Sequence, residues 1–280
     1  TFRVTTGRLP LSYGDIYRHS IVKEHAELRP LLTRRVEDSN LRSYSLAALA
    51  PQCNKPPANP PIPGADNDAR GNVILAKLEG NNPDILRNAF YLYRIEGRFD
   101  QALQTIRAAT ERDPLYFSNS AWLGQAHFLV REYAEALTNC RRALDLYPGA
   151  TFVHYEAAFV QLTLGQPGAA LAENALEPDA MFRANGLPQF LDALGRTHEA
   201  DQARADFIQK FGGPHPHYAA LMFAAHGDLD QAFTWWDRAL RQHDTDLLRL
   251  KMAPAYALKP QLAADPRFKA LLRKMNLPET

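Results

Sequence analysis

Nine histidines and two cysteines are the side chains in this sequence with the broadest chemical reach. Four of the histidines, His215, His217, His226 and His243, fall in one stretch. A metal centre needs three or four ligands converging on one point. The helical spacings that deliver two ligands to one face, H-x-x-x-H and H-E-x-x-H, do not occur in the chain. These histidines are therefore expected to be exposed loop residues, with a metal- or heme-associated role for 215–243 kept as an alternative. Two thiols cannot build a disulfide framework, and no C-x-x-C pair is present for zinc, heme attachment or redox work. Cys140, in TNCRRAL, sits at an apolar helical position and is expected to be buried and inert. Cys53 lies in a Pro-rich stretch and is expected to be more exposed. There is no G-x-S-x-G and no Gly-rich phosphate loop. The residues thus predict no catalytic centre, no enzyme and no cofactor.

Charge and composition narrow the partner class. Lys plus Arg is 32 and Asp plus Glu is 31, a net charge of +1. A nucleic-acid-binding domain usually carries a basic excess on one face, so none is expected here. The hydrophobic content of 46% is enough for a sizeable core. No apolar run reaches the roughly 18 residues of a membrane span. Arg far outnumbers Lys and Ala is abundant, a composition expected of a GC-rich bacterial genome. The chain opens on Thr1, as expected of a processed or trimmed form; the compartment is unknown, with cell envelope or extracellular ranked slightly ahead of cytoplasmic.

The elements that must position any site come from an internal repeat. GRFDQALQTIRAATERDP (97–114) aligns with REYAEALTNCRRALDLYP (131–148) at an offset of 34 residues. Phe99 pairs with Tyr133, Ala102 with Ala136, Ala109 with Ala143 and Pro114 with Pro148. GQPGAALAENALEPD (165–179) keeps the offset for a third copy. Small Ala102, Ala136 and Ala170 allow close helix approach, and Pro114 and Pro148 end the second helix. Leu123-Gly124 marks a first helix in AWLGQAHFLV; its counterparts are Ala89-Phe90 and Ala157-Ala158, so the glycine is not kept. Downstream the repeat loosens through Gly195, Ala200 and Phe207, then sharpens through Gly227, Leu229, Ala232, Trp236 and Ala239. GGPHPH (212–217) reads as a loop. About five helix pairs are expected over 83–244.

This pattern resembles the tetratricopeptide repeat (TPR) family, whose period is 34 residues. The resemblance implies an all-α, right-handed α-solenoid of about five TPR helix pairs. Residues 226–279 also resemble the C-terminal end of a bacterial TPR group in which the repeats follow a winged-helix or nucleotide-cyclase region. Gly227, Asp228, Ala232, Leu240, Leu250, Asp265, Pro266, Arg267, Phe268, Leu271, Leu272, Met275 and Pro278 carry that match. Asp265-Pro266 is a good helix start, and a helix over 266–276 would cap the stack. Residues 1–80 show neither a winged-helix nor a cyclase pattern, so DNA binding and cyclase activity are not implied.

The chain divides into an N-terminal part, 1–64, and the solenoid with its cap, 65–280. The first part holds an extended arm (1–14), helices near 15–28 and 31–49, and a Pro-rich linker PQCNKPPANPPIPG (51–64). A helix is expected over 69–82. The TPR resemblance implies a concave face lined by the first helices, with Arg87, Asn88, Tyr91, Arg94, Gln125, Phe128, Tyr155 and Phe159 projecting into it. Arg87 and Asn88 match part of a TPR carboxylate clamp, while Tyr91 replaces its second Asn. Such an aromatic, Arg-bearing groove suits an extended peptide. The function expected is a non-enzymatic protein-interaction scaffold, with head-to-tail self-assembly through the N-terminal arm as a variant that yields an oligomer or filament. A sensory module of a bacterial transcription regulator or signalling protein is the second expectation.

Overall fold

The computed structural model describes residues 83–279, and over them the protein is all-α. The expected arm, its helices, the Pro-rich linker, Cys53 and the helix over 69–82 lie outside the described residues. Ten helices form five sequential pairs: α1 (Pro83–Glu96) with α2 (Phe99–Arg112), α3 (Phe117–Leu129) with α4 (Tyr133–Leu146), and α5 (Val153–Thr163) with α6 (Pro167–Ala175). The last two are α7 (Ala180–Ala193) with α8 (Thr197–Phe207), and α9 (Pro216–His226) with α10 (Leu229–Arg241). No helix among the described residues is long and apolar enough to cross a membrane.

The repeat is written in the backbone. Each turn between paired helices passes through one left-handed residue: Gly97, Arg131, Gly165, Gly195 and Gly227, with φ of 78°, 68°, 75°, 73° and 100°. One fully buried alanine follows each: Ala102, Ala136, Ala170, Ala200 and Ala232. Both series advance by 34, 34, 30 and 32 residues. The short interval has a local cause, since α6 has 9 residues where α2 and α4 have 14. At Gly124 an added Cβ would lie 3.0 Å from Cys140 Sγ and 3.1 Å from the Ala136 carbonyl, so the glycine lets α3 and α4 approach. Cys140 is buried, and burial pushes its thiol well up.

The second helices are one-sided. In α2 the buried residues are Ala102, Leu103, Ile106, Ala109 and Thr110, the spacing of a single helical face. The first helices are buried on most sides: every residue of α3 from Leu123 to Leu129 is buried. They have more than one neighbour to face, because α3 and α7 each also contact α5, and α7 contacts α9.

After α10 the chain leaves the repeat. A 3₁₀ helix (Thr245–Met252), the short α11 (Ala253–Tyr256) and a second 3₁₀ turn (Pro260–Ala264) lead to α12 (Pro266–Lys274). The Asp265 side chain caps α12 by accepting from the Arg267 N–H at 2.8 Å, and Pro266 fills the first turn. Phe268 meets Trp236 of α10 at 5.8 Å between ring centres, and Arg267 pairs with Asp230 at 2.6 Å. This helix caps α10 as the sequence implies.

Two local expectations change. Residues 208–212 form a π-helical turn that extends α8, and α9 begins at Pro216, so 212–217 is only partly loop. His217 is consequently helical and 1% exposed, not an exposed loop histidine. Its Nδ1 accepts from Trp236 Nε1 at 3.3 Å, which explains why Trp236 turns inward while Trp235 stays half-buried under Arg238.

Candidate functional site

The 3₁₀ helix at 245–252 packs against both α1 and α9, the first helices of the first and fifth pairs. Leu247, Leu250 and Met252 of this 3₁₀ helix, and Tyr256 of α11, are buried. Tyr256 sits among Phe128, Tyr155 and Phe159, with ring centres 5.3, 6.2 and 5.4 Å away. The chain's own C-terminal segment therefore occupies much of the face that the first helices present.

Beneath it lies a buried polar chain. Arg94 donates to Gln125 Oε1 at 2.6 Å, and Gln125 Nε2 donates to the Tyr256 hydroxyl at 2.8 Å and to Glu156 Oε2 at 3.4 Å. The Tyr256 hydroxyl in turn donates to Glu156. Glu156 is 1% exposed, and its other oxygen has no partner among the described residues. Burial raises its carboxyl to about 7, against the pull of the Tyr256 and Gln125 hydrogen bonds and of Arg249 and Arg94. Arg94 is pulled down to about 10, first by burial and then by the nearby positive charge of Arg249, and it remains charged at neutral pH. Its guanidinium lies 4.8 Å from the Tyr91 ring centre and 5.3 Å from that of Phe90.

The local folding that places these groups is specific. Phe152, just before α5, takes a left-handed φ of 73°. The buried Glu177 carboxylate holds that bend by accepting from the N–H groups of Phe152 at 2.9 Å and Tyr155 at 3.2 Å. A carboxylate at a helix N-terminus is favoured both by the free N–H groups and by the dipole. The bend brings Phe152 against Phe182 of α7 and under Arg249, whose guanidinium is 5.2 Å from the Phe152 ring centre. Tyr155 donates its hydroxyl to Asn185 Oδ1 at 2.8 Å, linking α5 to α7.

At the α9 side of this face Phe152, Tyr155, His217, Tyr218, Arg249 and Tyr256 line a cleft. Its innermost space is about 10 Å³, room for one water-sized centre, and it widens to about 260 Å³ of empty volume that includes its open mouth.

The eight residues expected on the concave face thus separate. Tyr91, Arg94, Gln125, Phe128, Tyr155 and Phe159 come together around the Arg94–Gln125–Glu156 chain and Tyr256. Gln125, Phe128, Tyr155 and Phe159 are buried under the C-terminal segment, where the sequence suggested an open groove. Arg87 is turned to the junction of the first two pairs. It pairs with Asp84 and, at 3.3 Å, with Asp113, and its guanidinium lies 4.7 Å from the Tyr116 ring centre. Asn88 is half-buried on α1. Arg249, Tyr218, Glu156 and Tyr256 were missed. Only the odd pairing of charge with an apolar run, in HYEAAF, hinted at Glu156; Arg249 and Tyr256 lie beyond the last repeat, where the helical period offers no register. As for the histidines, His215 lies 3.7 Å from Asp246 and His226 lies 3.2 Å from Asp192. No group of three His, Cys, Asp or Glu side chains among the described residues is placed to hold a metal ion.

No family model matches the chain, and no curated protein matches it. Solved structures do. The crystal structure of YrrB, a TPR protein with an unusual peptide-binding site, is 18% identical, covers 66% of this chain and 98% of its own, and has a TM-score of 0.41. A crystal structure of the MamA protein is 18% identical, covers 60% of this chain and 94% of its own, with a TM-score of 0.40. The narrower likeness of 226–279 to regulator-linked repeats finds no counterpart in these comparisons.

Proposed function

We propose that this protein is a non-enzymatic interaction scaffold whose first-helix face seats a peptide or a segment of a partner protein. One observation carries the reading: that face already holds a non-repeat helical segment, the chain's own 245–256, through a ring anchored among rings and hydrogen-bonded at its tip. Packing an aromatic side chain against aromatic walls while its hydroxyl finds buried partners is how such a surface recognises peptide. A partner segment would lie beside this resident one, over half-buried Tyr91 and Phe182 and the mouth of the cleft. Head-to-tail assembly through residues 1–64 is the variant in which the partner is a second copy.

Site-specific photo-crosslinking tests this. A photoreactive phenylalanine replaces Tyr91 or Phe182, with Arg141 on the exposed side of α4 as control. Discrete protein adducts from positions 91 and 182, and none from 141, are expected in cells that make the protein. An adduct of the chain with itself would identify self-assembly, and its loss on deletion of 1–64 would place the contact in the arm. Equal labelling at all three positions, or none at 91 and 182, would overturn the reading.

A further inference from the structure

The three most exposed large apolar side chains among the described residues are Leu115, Leu176 and Tyr147, at 77%, 62% and 50%. Each stands in a connection between successive pairs: Leu115 between α2 and α3, Tyr147 between α4 and α5, Leu176 between α6 and α7. These connections run side by side. Arg142 of α4 donates to the Pro114 carbonyl at 3.4 Å, and the ring centres of Phe117 and Tyr147 lie 4.9 Å apart. Glu177 ties the third connection to the second by accepting from the Phe152 N–H at 2.9 Å. Leu115, Tyr147 and Leu176 therefore form one row along the edge where α3, α5 and α7 begin. Successive members of that helix series touch, and packed helix axes stand about 8–10 Å apart, so the row advances in steps of that length. Single exposed apolar side chains are ordinary, but an ordered series of them marks a contact surface.

The remainder of the chain arrives at this same edge. α1 begins at Pro83, and in its second turn Arg87 pairs with Asp113 at 3.3 Å and lies over the Tyr116 ring, both in the first connection. Residues 1–82 thus lead in beside Leu115. They carry Pro57, Pro60 and Pro63, a proline at every third position. Polyproline II has three residues per turn and rises about 3.1 Å per residue, which puts the three rings on one ridge about 9 Å apart. That spacing is the step of the row. Residues 64–82 can extend to at most about 60 Å, roughly three times the length of the row.

We infer that segment 57–63 docks on the Leu115–Tyr147–Leu176 row of its own molecule. One proline would meet each connection, with the Tyr147 ring at the centre. Proline ridges seat on aromatic and apolar surfaces at little entropic cost, because the backbone is already extended. The short tether raises the local concentration of the segment to the millimolar range, which favours it over the same segment of a second copy. The row lies on the pair edge and not on the first-helix face, so this contact and the seating of a partner on that face stand or fall separately.

The test is photo-crosslinking in the purified full chain, with a photoreactive phenylalanine in place of Leu115 or Tyr147. Position 194, beside the turn within the fourth pair, is the control. Light and heavy isotope-labelled chains are mixed before irradiation, and the joined peptides are identified by mass spectrometry. Adducts linking 115 or 147 to residues within 51–64, each of a single isotope, are expected, and none from 194. Pro57→Ala, Pro60→Ala and Pro63→Ala together should abolish them, as should Tyr147→Ala in the chain probed at 115. Leu115 and Tyr147 lie in exposed connections, so changes there leave the fold intact. Adducts of mixed isotope would put a second copy on the row and overturn the intramolecular contact. No adduct with 51–64, equal labelling from 194, or adducts that survive the proline substitutions or Tyr147→Ala would overturn the inference as a whole.

Discussion

Glu156 stands where a carboxylate is costly, with one oxygen hydrogen-bonded and the other bare in the protein interior. A folded-state value of about 7, above the ordinary 4.5, means that the folded protein prefers the protonated form. Stability from this group is full below pH 4.5 and is lost as the pH rises to about 7, by about 3 kcal/mol in all. His217 works in the opposite sense. Burial first, and Arg249 second, lower it from 6.5 to about 3, so its contribution is present above pH 6.5 and fades as the pH falls toward 3. The two slopes oppose each other between about pH 4.5 and 6.5. Glu156→Gln keeps an acceptor for Tyr256 and removes one slope. Its stability relative to wild type, from urea unfolding, should rise between pH 4.5 and 7 and level off above. A difference that stays constant with pH would contradict this account.

At the scale of the element, the inter-helix turn is the point of control. Four of the five turns put glycine at the left-handed residue, and one puts Arg131 there. An L-residue in that conformation costs about 1–2 kcal/mol. Arg131→Gly should therefore stabilise the protein by about 1 kcal/mol. Gly165→Ala should destabilise it by a similar amount, although nothing lies within 4 Å of the added carbon. Thermal unfolding of both variants checks the pair, and two shifts of the same sign would refute it. These turns were also what the sequence displayed best. Glycine, alanine and proline at a fixed interval report backbone shape and helix separation, and both follow from residue type alone. Arg131 was legible only because its neighbours keep register with Gly97 and Gly165. The site was legible in half: Tyr91, Arg94, Gln125, Phe128, Tyr155 and Phe159 follow from the first-helix register. That Tyr256 and Arg249 meet them depends on contacts across most of the chain, which no local pattern encodes.

In the molecule as a whole, the segment at 245–256 alters how the pairs depend on one another. A stack of repeats normally gains stability only between neighbours, so one end can loosen while the other holds. Here the 3₁₀ helix that carries fully buried Leu250 touches α1 and α9 together. Leu250→Ala should cost about 2–5 kcal/mol and accelerate amide exchange in α1 and α9 alike, as well as locally. Exchange that quickens only in α9 and α10 would show the first pair to be independent of the segment. The order of synthesis gives this bridge a further meaning. Residues 245–256 leave the ribosome long after α1, and domains begin to fold in that N-to-C order. Until then the inner side of the first pairs, with Arg94, Gln125 and Glu156, lacks the contacts that Tyr256 supplies. The polar chain is thus completed last, when the Tyr256 hydroxyl reaches Gln125 and Glu156, although the residues it joins are made far earlier.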